Sequence, residues 1–205
     1  MVEMFAFAHE LYQATEGVFD ISVGATLHTL GYGRREHGGA APSDIWNQIQ
    51  YSSGEISAPK GIMLDFGGQG KGWLIDSISD YLRQRGVNQF IVNGGGDLYV
   101  ASSRPVVIAL EDPAEPDKRF GQTSLMNESL AASSTQKRSW QVDGDMHHHI
   151  IDPTTGGSAA SGVVGTFVKA PTAKLADSLA TVLIVRPELA DSLKRRFGIE
   201  VIVVR

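Results

Sequence analysis

The 205-residue chain has no cysteine, so disulfide bonds, thiolate metal sites and cysteine nucleophiles are all excluded. It has no apolar run that approaches the length of a membrane span. It also lacks an excess of basic residues, because its formal net charge is −5 at pH 7. Nucleic acids and anionic membrane surfaces do not attract such a chain, and we expect neither as a partner.

The residues that are present have a composition ordinary for a globular protein, with 42% hydrophobic and 20% charged residues. The chain is long enough for a sizeable core, either in one large domain or in two small lobes, and it shows no repeat or low-complexity linker. Between Leu98 and Val168 the periodicity is mostly two, which predicts sheet. Helical patterns on either side predict the α/β (α+β) class, with a largely antiparallel sheet and flanking helices.

The predicted helices carry an apolar stripe and a terminating or capping residue. The first is an opening helix that runs to about Thr15 and stops at Gly17, and a short helix capped by Ser43 follows. The next helix has Leu74, Ile75, Ile78 and Leu82 on one stripe and ends at Gly86. The last two helices cover 172–185, with Thr172 as N-cap, and 187–197. The predicted strands are 62–66, a buried strand over 89–93, 106–110, 129–133, a hairpin over 139–151 turned on Asp143-Gly144, 163–169 and 199–204.

The segment Leu64–Trp73 places three alternating glycines before an amphipathic helix. Such a layout is typical of a loop that lets the backbone approach a phosphate at a helix N-terminus. The P-loop pattern does not fit, because Asp65 stands where its first glycine belongs and Gly72 follows Lys71. The dinucleotide fingerprint fails as well, since Trp73 occupies its last glycine position. Lys71 either neutralises a phosphate or lies in the solvated first turn of the helix.

Asp97 follows three glycines, and on residue type alone it either binds a ribose hydroxyl or caps a turn. Asp177 and Thr181 are four residues apart, which places them on one helix face. A carboxylate beside a hydroxyl suits a hard cation such as Mg²⁺. The alternative is an exposed aspartate and a threonine bonded back to its own helix, and spacing alone favours that alternative.

The triplet His147–His149 raises the possibility of a zinc site. On a strand, His147 and His149 share a face while His148 points the other way. No third ligand is evident nearby, so spacing favours a lone pocket histidine that acts as a base or a hydrogen-bond donor.

Six segments, taken in order, resemble the ApbE family of flavin transferases, also known as FAD:protein FMN transferases. For example, Leu-Asp-Phe-Gly-Gly-Gln-Gly-Lys-Gly-Trp-Leu-Ile-Asp resembles the family's Leu-Asp-Leu-Gly-Gly-Ile-Ala-Lys-Gly-Tyr-x-x-Asp. The segments span nearly the whole chain and are Gly17–Gly24, Leu64–Asp76, Val92–Asp97, Glu111–Pro113, His149–Gly156 and Ala176–Thr181.

The resemblance implies a single ApbE-like domain over residues 1–205, with a two-lobed fold that holds FAD and with Mg²⁺ on the pyrophosphate. It implies that the Asp177 and Thr181 side chains and the Gly70 carbonyl ligate the metal. FMN is then expected to move from FAD to a Ser or Thr hydroxyl of a target flavoprotein, with release of AMP. Catalytic roles fall to Asp177 and to His149, as base or positioning group. The residues expected to contact the nucleotide are Gly68, Gly70, Lys71, Asn93, Gly95, Gly96 and Asp97.

The chain also departs from the family pattern. Gly70 replaces the usual alanine, and Ser134 stands where a Thr-Ser-Gly turn normally has glycine. Family members usually carry a preceding segment with an export or lipoprotein signal, which implies a periplasmic or membrane-anchored location. We expect that this chain lacks that segment, so its compartment stays open. Two alternative functions remain: an FAD pyrophosphatase that gives FMN and AMP, and a non-catalytic FAD-binding protein or truncated inactive remnant.

Overall fold

The computed structural model describes residues 1–32, 46–52, 54–115, 117–136, 138–142 and 144–205. The predicted N-cap Ser43 and the first turn residue of the predicted hairpin, Asp143, lie outside these residues. Contacts divide the chain into two compact units. The first unit comprises Met1–Phe66 and Arg138–Ala159, and the second comprises Gly67–Lys137 and Ala160–Arg205.

The helices are α1 (Val2–Ala14), α2 (Gly24–Thr29), α3 (Gly67–Gln84), α4 (Ala173–Val185) and α5 (Ala190–Phe197), with 3₁₀ turns at Ile21–Val23, Trp46–Gln48 and Pro187–Leu189. The strands are β1 (Gln50–Ser52), β2 (Glu55–Ser57), β3 (Phe90–Asn93), β4 (Leu98–Ala101), β5 (Val106–Glu111), β6 (Arg119–Leu125), β7 (Glu128–Ser134), β8 (Ser139–Val142), β9 (Asp145–His148), β10 (Ile151–Asp152), β11 (Gly157–Ser158), β12 (Gly165–Ala170) and β13 (Glu200–Val204). All strand pairs among the described residues are antiparallel, which confirms the predicted class.

In the first unit, α1 ends close to its predicted position. The Thr15 hydroxyl donates to the Leu11 carbonyl at 2.7 Å and accepts the Phe19 amide at 2.9 Å. Gly17 follows with a φ of +85°, a conformation that glycine adopts without strain. These bonds replace the next turn of helix, so the predicted end at Thr15 is confirmed.

The predicted strand over 62–66 is wrong, because this segment pairs with no strand of the described chain. Its backbone instead lies against the beginning of α2. The Asp65 amide donates to the Ile21 carbonyl at 2.7 Å. A Cβ on Gly24 would come within 2.7 Å of the Met63 carbonyl oxygen. The segment is therefore held by this close contact with α2 rather than by a ladder.

The predicted hairpin is confirmed, since β8 pairs with β9, and Gly144, the second residue of the predicted turn, has a φ of +96°. Strand β9 ends at His148. His149 therefore lies beyond the strand, and the prediction that it shares a strand face with His147 is wrong. The indole of Trp140 donates to the Leu30 carbonyl at 2.7 Å, which ties the hairpin to the residues after α2.

The second unit is built on a five-stranded sheet in the order β13-β12-β7-β4-β3. Alternation along β4 sends Leu98 and Val100 to the face covered by the β5–β6 hairpin. Tyr99 and Ala101 lie on the opposite face, in a cluster with Ile75 of α3 and the first residue of α4. Both faces of β4 are thus buried. Strand β3 is an edge strand, and its predicted burial is wrong because Ile91 is 52% exposed.

The predicted stripe of α3 is only partly correct. Ile75 is fully buried, but Leu74 and Ile78 are 60% and 40% exposed. The helix buries Gly72 and Ser79 together with Ile75, because its face toward α4 is set by a close approach at Gly72. No helix in the described part of the chain is both long and apolar enough to cross a membrane.

Candidate metal centre

A cluster of polar side chains forms in the second unit where α3, α4, β7 and the β3–β4 turn meet. We call it the acidic cluster, and its members are Lys71, Asp97, Ser133, Asp177 and Thr181. Four of the five were singled out in the sequence. Ser133 was not assigned a role there, because no spacing rule relates a strand residue to a helix 48 positions later.

Asp177 lies on α4 and is only 4% exposed. Its Oδ2 accepts the Gly72 amide at 3.0 Å, and its Oδ1 lies 3.8 Å from the Lys71 ammonium. The exposed aspartate that spacing alone favoured is therefore wrong. Burial, and after it the neighbouring Asp97 charge, raise the pKa of the Asp177 carboxyl to about 7, although Lys71 and the Gly72 amide oppose the rise.

Asp97 is 1% exposed and connects two elements of the second unit. Its Oδ1 accepts the Ala132 amide of β7 at 3.1 Å, and its Oδ2 accepts a hydrogen bond from the Lys71 ammonium. It does not cap the glycine turn that precedes it. That interpretation is wrong, because the Asn93 Oδ1 caps the turn by accepting the Gly95 amide at 2.9 Å and the Gly96 amide at 3.0 Å.

Gly95 and Gly96 have φ angles of +89° and +112°, which explains why this turn needs glycines. Since both amides are bonded to Asn93, the turn is already ordered by its own residues. The predicted nucleotide contacts of Asn93, Gly95, Gly96 and Asp97 stay predictions.

Thr181 is half-buried one turn beyond Asp177 on α4. Its hydroxyl donates to the Asp177 carbonyl at 3.3 Å and lies 3.4 Å from the Ser133 hydroxyl. Thr181 is therefore bonded back to its own helix, as the alternative interpretation expected. Thr181 nevertheless follows Asp177 by four residues of α4, so the two predicted metal-binding side chains lie on one face of this helix.

The predicted glycine loop is wrong as a loop, because α3 already begins at Gly67. Gly68 and Gly70 therefore lie in its first turn, where amide groups have no partner within the helix. A Cβ at Gly70 would meet no atom within 4 Å, so the alanine usual in the family would fit there. Gly72 differs, since its Cβ would collide with the Ala173 carbonyl of α4. The proposed use of Gly70 as a backbone ligand stays a prediction.

The donor chemistry of the acidic cluster fits Mg²⁺. Its candidate ligands are a buried carboxylate and a hydroxyl, which are the hard oxygen donors that this cation takes. Two carboxylates face one lysine, so an additional positive charge offsets their repulsion. Within the described residues, no group of three or more His, Asp or Glu side chains could hold a metal.

The histidine triplet lies in the first unit and does not assemble a metal site among the described residues. The His148 Nε2 is bonded to the Ala159 carbonyl at 3.0 Å, and burial lowers the pKa of this side chain. His147 stacks near Trp140, with ring centroids 6.3 Å apart. His149 stacks near Tyr32 at 6.4 Å, and its predicted role as base or positioning group stays a prediction.

A model of the ApbE family matches residues 1–203, and the chain therefore belongs to the ApbE family. The FAD:protein FMN transferase of Vibrio cholerae serotype O1 is 29% identical over 192 residues, which cover 85% of this chain and 57% of that protein. The FAD:protein FMN transferase of Escherichia coli K12 is 24% identical over 212 residues, which cover 93% and 60%. The chain thus spans less than two thirds of the length of these relatives.

Solved structures agree on the fold. The ApbE protein of Thermotoga maritima superposes with a TM-score of 0.85 at 24% identity, covering 98% of this chain and 72% of that one. The flavin transferase ApbE of Vibrio cholerae gives 0.75 at 23% identity, covering 98% and 69%. The family resemblance inferred from the ordered motifs and the predicted fold class are both confirmed.

Proposed function

We propose that this chain catalyses the Mg²⁺-dependent transfer of FMN from FAD to a Ser or Thr hydroxyl of a target flavoprotein, with release of AMP. Family membership and the names of the relatives support the reaction class. The observation that carries the proposal is the buried Asp177 carboxylate, which shares the acidic cluster with Asp97 and the Thr181 hydroxyl.

Asp177 and Thr181 would hold the cation, with the Gly70 carbonyl as a third donor. A Mg²⁺ ion held there would neutralise negative charge on the pyrophosphate of FAD. Lys71 supplies a further positive charge beside the same carboxylates, which suits it to bind a phosphate oxygen. The first turn of α3 adds backbone amides and the positive end of the helix dipole.

In the reaction, the acceptor oxygen forms a bond to the flavin-side phosphorus. The pyrophosphate bond to the AMP phosphate breaks, and AMP leaves with the electron pair. The hydroxyl proton must depart as the new bond forms, and we assign its removal or the orientation of the hydroxyl to His149. Positioning and electrostatic stabilisation supply most of the rate in phosphoryl-type transfer, because the protein has little covalent chemistry to perform.

The test incubates the purified chain with FAD, Mg²⁺ and an acceptor flavoprotein, and follows AMP, FMN and covalent flavin by chromatography. Asp177→Ala should abolish transfer. Asp191→Ala is the matched control, because Asp191 is an exposed carboxylate on α5. AMP with covalent flavin supports the proposal. AMP with free FMN identifies a pyrophosphatase, and intact FAD contradicts both activities.

A further inference from the structure

The N-terminus of α4, the helix that carries Asp177, is capped from another helix. Thr172 occupies the N-cap position with extended backbone angles of −129° and 150°, but its side chain makes no capping hydrogen bond. Asp76 of α3 supplies the cap instead. Its two carboxylate oxygens accept the Ala173 amide at 2.7 Å and the Lys174 amide at 3.0 Å. Two of the four amides that a helix start leaves unbonded are thereby satisfied by one side chain.

A second contact lies one turn away on both helices. Gly72 precedes Asp76 by four residues, so the two lie on one face of α3. The Gly72 amide donates to the Asp177 carboxylate at 3.0 Å, and a Cβ on Gly72 would collide with the Ala173 carbonyl. Asp76 therefore holds the first turn of α4, while Gly72 contacts the next turn at the candidate metal ligand.

We propose that Asp76 is a positioning residue that fixes the axial and rotational register of α4 against α3, and so fixes where the Asp177 carboxylate and the Thr181 hydroxyl lie. This inference rests on the proposed function of the acidic cluster as a metal centre. A shift of α4 by one residue would move both ligands by about 1.5 Å along the axis and turn them by about 100°. Mg²⁺ demands near-ideal octahedral geometry, so its binding is sensitive to much smaller displacements.

The competing interpretation is that Asp76 only stabilises the helix end. The two roles separate experimentally, because a cap can be supplied within α4 itself. Thr172 already has the extended backbone of an N-cap, where aspartate is a preferred residue. In the double variant Asp76→Ala/Thr172→Asp, the helix end is capped again but the connection to α3 is absent.

The experiment measures three quantities in the full chain: the thermal midpoint without metal, the Mg²⁺ dissociation constant by calorimetry, and the exchange rate of the Gly72 amide by NMR without metal. Asp76→Ala should lower the midpoint, weaken Mg²⁺ binding about tenfold, as loss of an outer-shell partner does, and speed Gly72 exchange. The double variant should recover the midpoint but retain weak Mg²⁺ binding and fast exchange. The control is Asp80→Ala, an exposed carboxylate one turn further along α3, which should change neither metal binding nor Gly72 exchange.

Recovery of Mg²⁺ affinity and Gly72 protection in the double variant would overturn the inference, since Asp76 would then be a cap alone. Unchanged values in Asp76→Ala would overturn it as well. A wild-type chain that binds Mg²⁺ without transferring FMN contradicts the proposed function and leaves the positioning role intact. If the wild-type chain binds no Mg²⁺, the metal centre is contradicted. The exchange rate of the Gly72 amide in the variants then still tests whether Asp76 positions α4.

Discussion

Replacing Asp177 by asparagine should stabilise the metal-free protein while abolishing its metal chemistry. The ionised carboxylate is almost fully buried, and its pKa rises from an ordinary 3.8 to about 7. The folded protein therefore binds more protons than the unfolded chain between these values, so stability falls as the pH rises from about 4 to 7. Above pH 7 the carboxyl is ionised in the folded protein, and the full loss of stability is present. Asparagine resembles the neutral acid and therefore removes this loss.

The pKa rise corresponds to roughly 4 kcal/mol, which sets the upper limit of the gain. Asparagine forms a weaker hydrogen bond with the Gly72 amide than a carboxylate does, so we expect a gain of about 2 kcal/mol at pH 8. For a chain of this size that is a rise in Tm of about 5 °C. The difference between the two proteins should shrink as the pH falls toward 4, because the wild-type carboxyl is then protonated in the fold.

The assay is thermal unfolding in the presence of a chelator, from pH 5 to pH 8, alongside the FMN transfer assay at pH 8. Asp191→Asn, on the exposed surface of α5, is the control and should show neither the gain in Tm nor the loss of transfer. A lower Tm for Asp177→Asn at pH 8 would refute the electrostatic account. Retained transfer by the same variant would refute the metal-binding role of Asp177.

Three further predictions concern the same cluster. Gly72→Ala should lower the stability by about 1–3 kcal/mol, because its Cβ collides with the backbone of α4, whereas Gly70→Ala should leave Tm within a degree or so of wild type. Mg²⁺ affinity should fall about tenfold per pH unit below about 7, where the proton competes for Asp177, and calorimetry that finds no such dependence contradicts the assigned ligand. Lys71→Met should raise the KM for FAD or lower kcat by about tenfold or more in steady-state assays, and an unchanged kcat/KM would exclude a phosphate contact.

Local patterns were sufficient to predict much of the fold. The four-residue spacing of Asp177 and Thr181 placed them on one face of a helix, and the Asp-Gly pair located the β8–β9 hairpin. The predictions failed where the outcome depends on contacts with distant parts of the chain. Residues 62–66 have the composition of a strand, but their contact with Gly24 is invisible in a local pattern.

At the candidate metal centre, too, local sequence patterns predicted some features and long-range contacts determine the others. Asp177 could be selected by its neighbours in sequence, but its burial could not, because burial depends on α3 and β7. The capping role of Asp76 could not be predicted for a different reason. Thr172 is a good N-cap residue at the correct position, so nothing in the sequence indicates that a carboxylate 97 residues earlier bonds the Ala173 amide. The glycine at position 72, four residues before Asp76, was the available signal of a close helix–helix contact.

The most direct test of the metal-centre account is the stoichiometry of products in a single incubation of the chain with FAD, Mg²⁺ and an acceptor flavoprotein. We predict equal amounts of AMP and covalently flavinylated acceptor for the wild-type chain, and neither product when Asp177 is replaced by asparagine or when Mg²⁺ is chelated. Equal flavinylation by the Asp177→Asn variant, or AMP accompanied only by free FMN, would contradict the account.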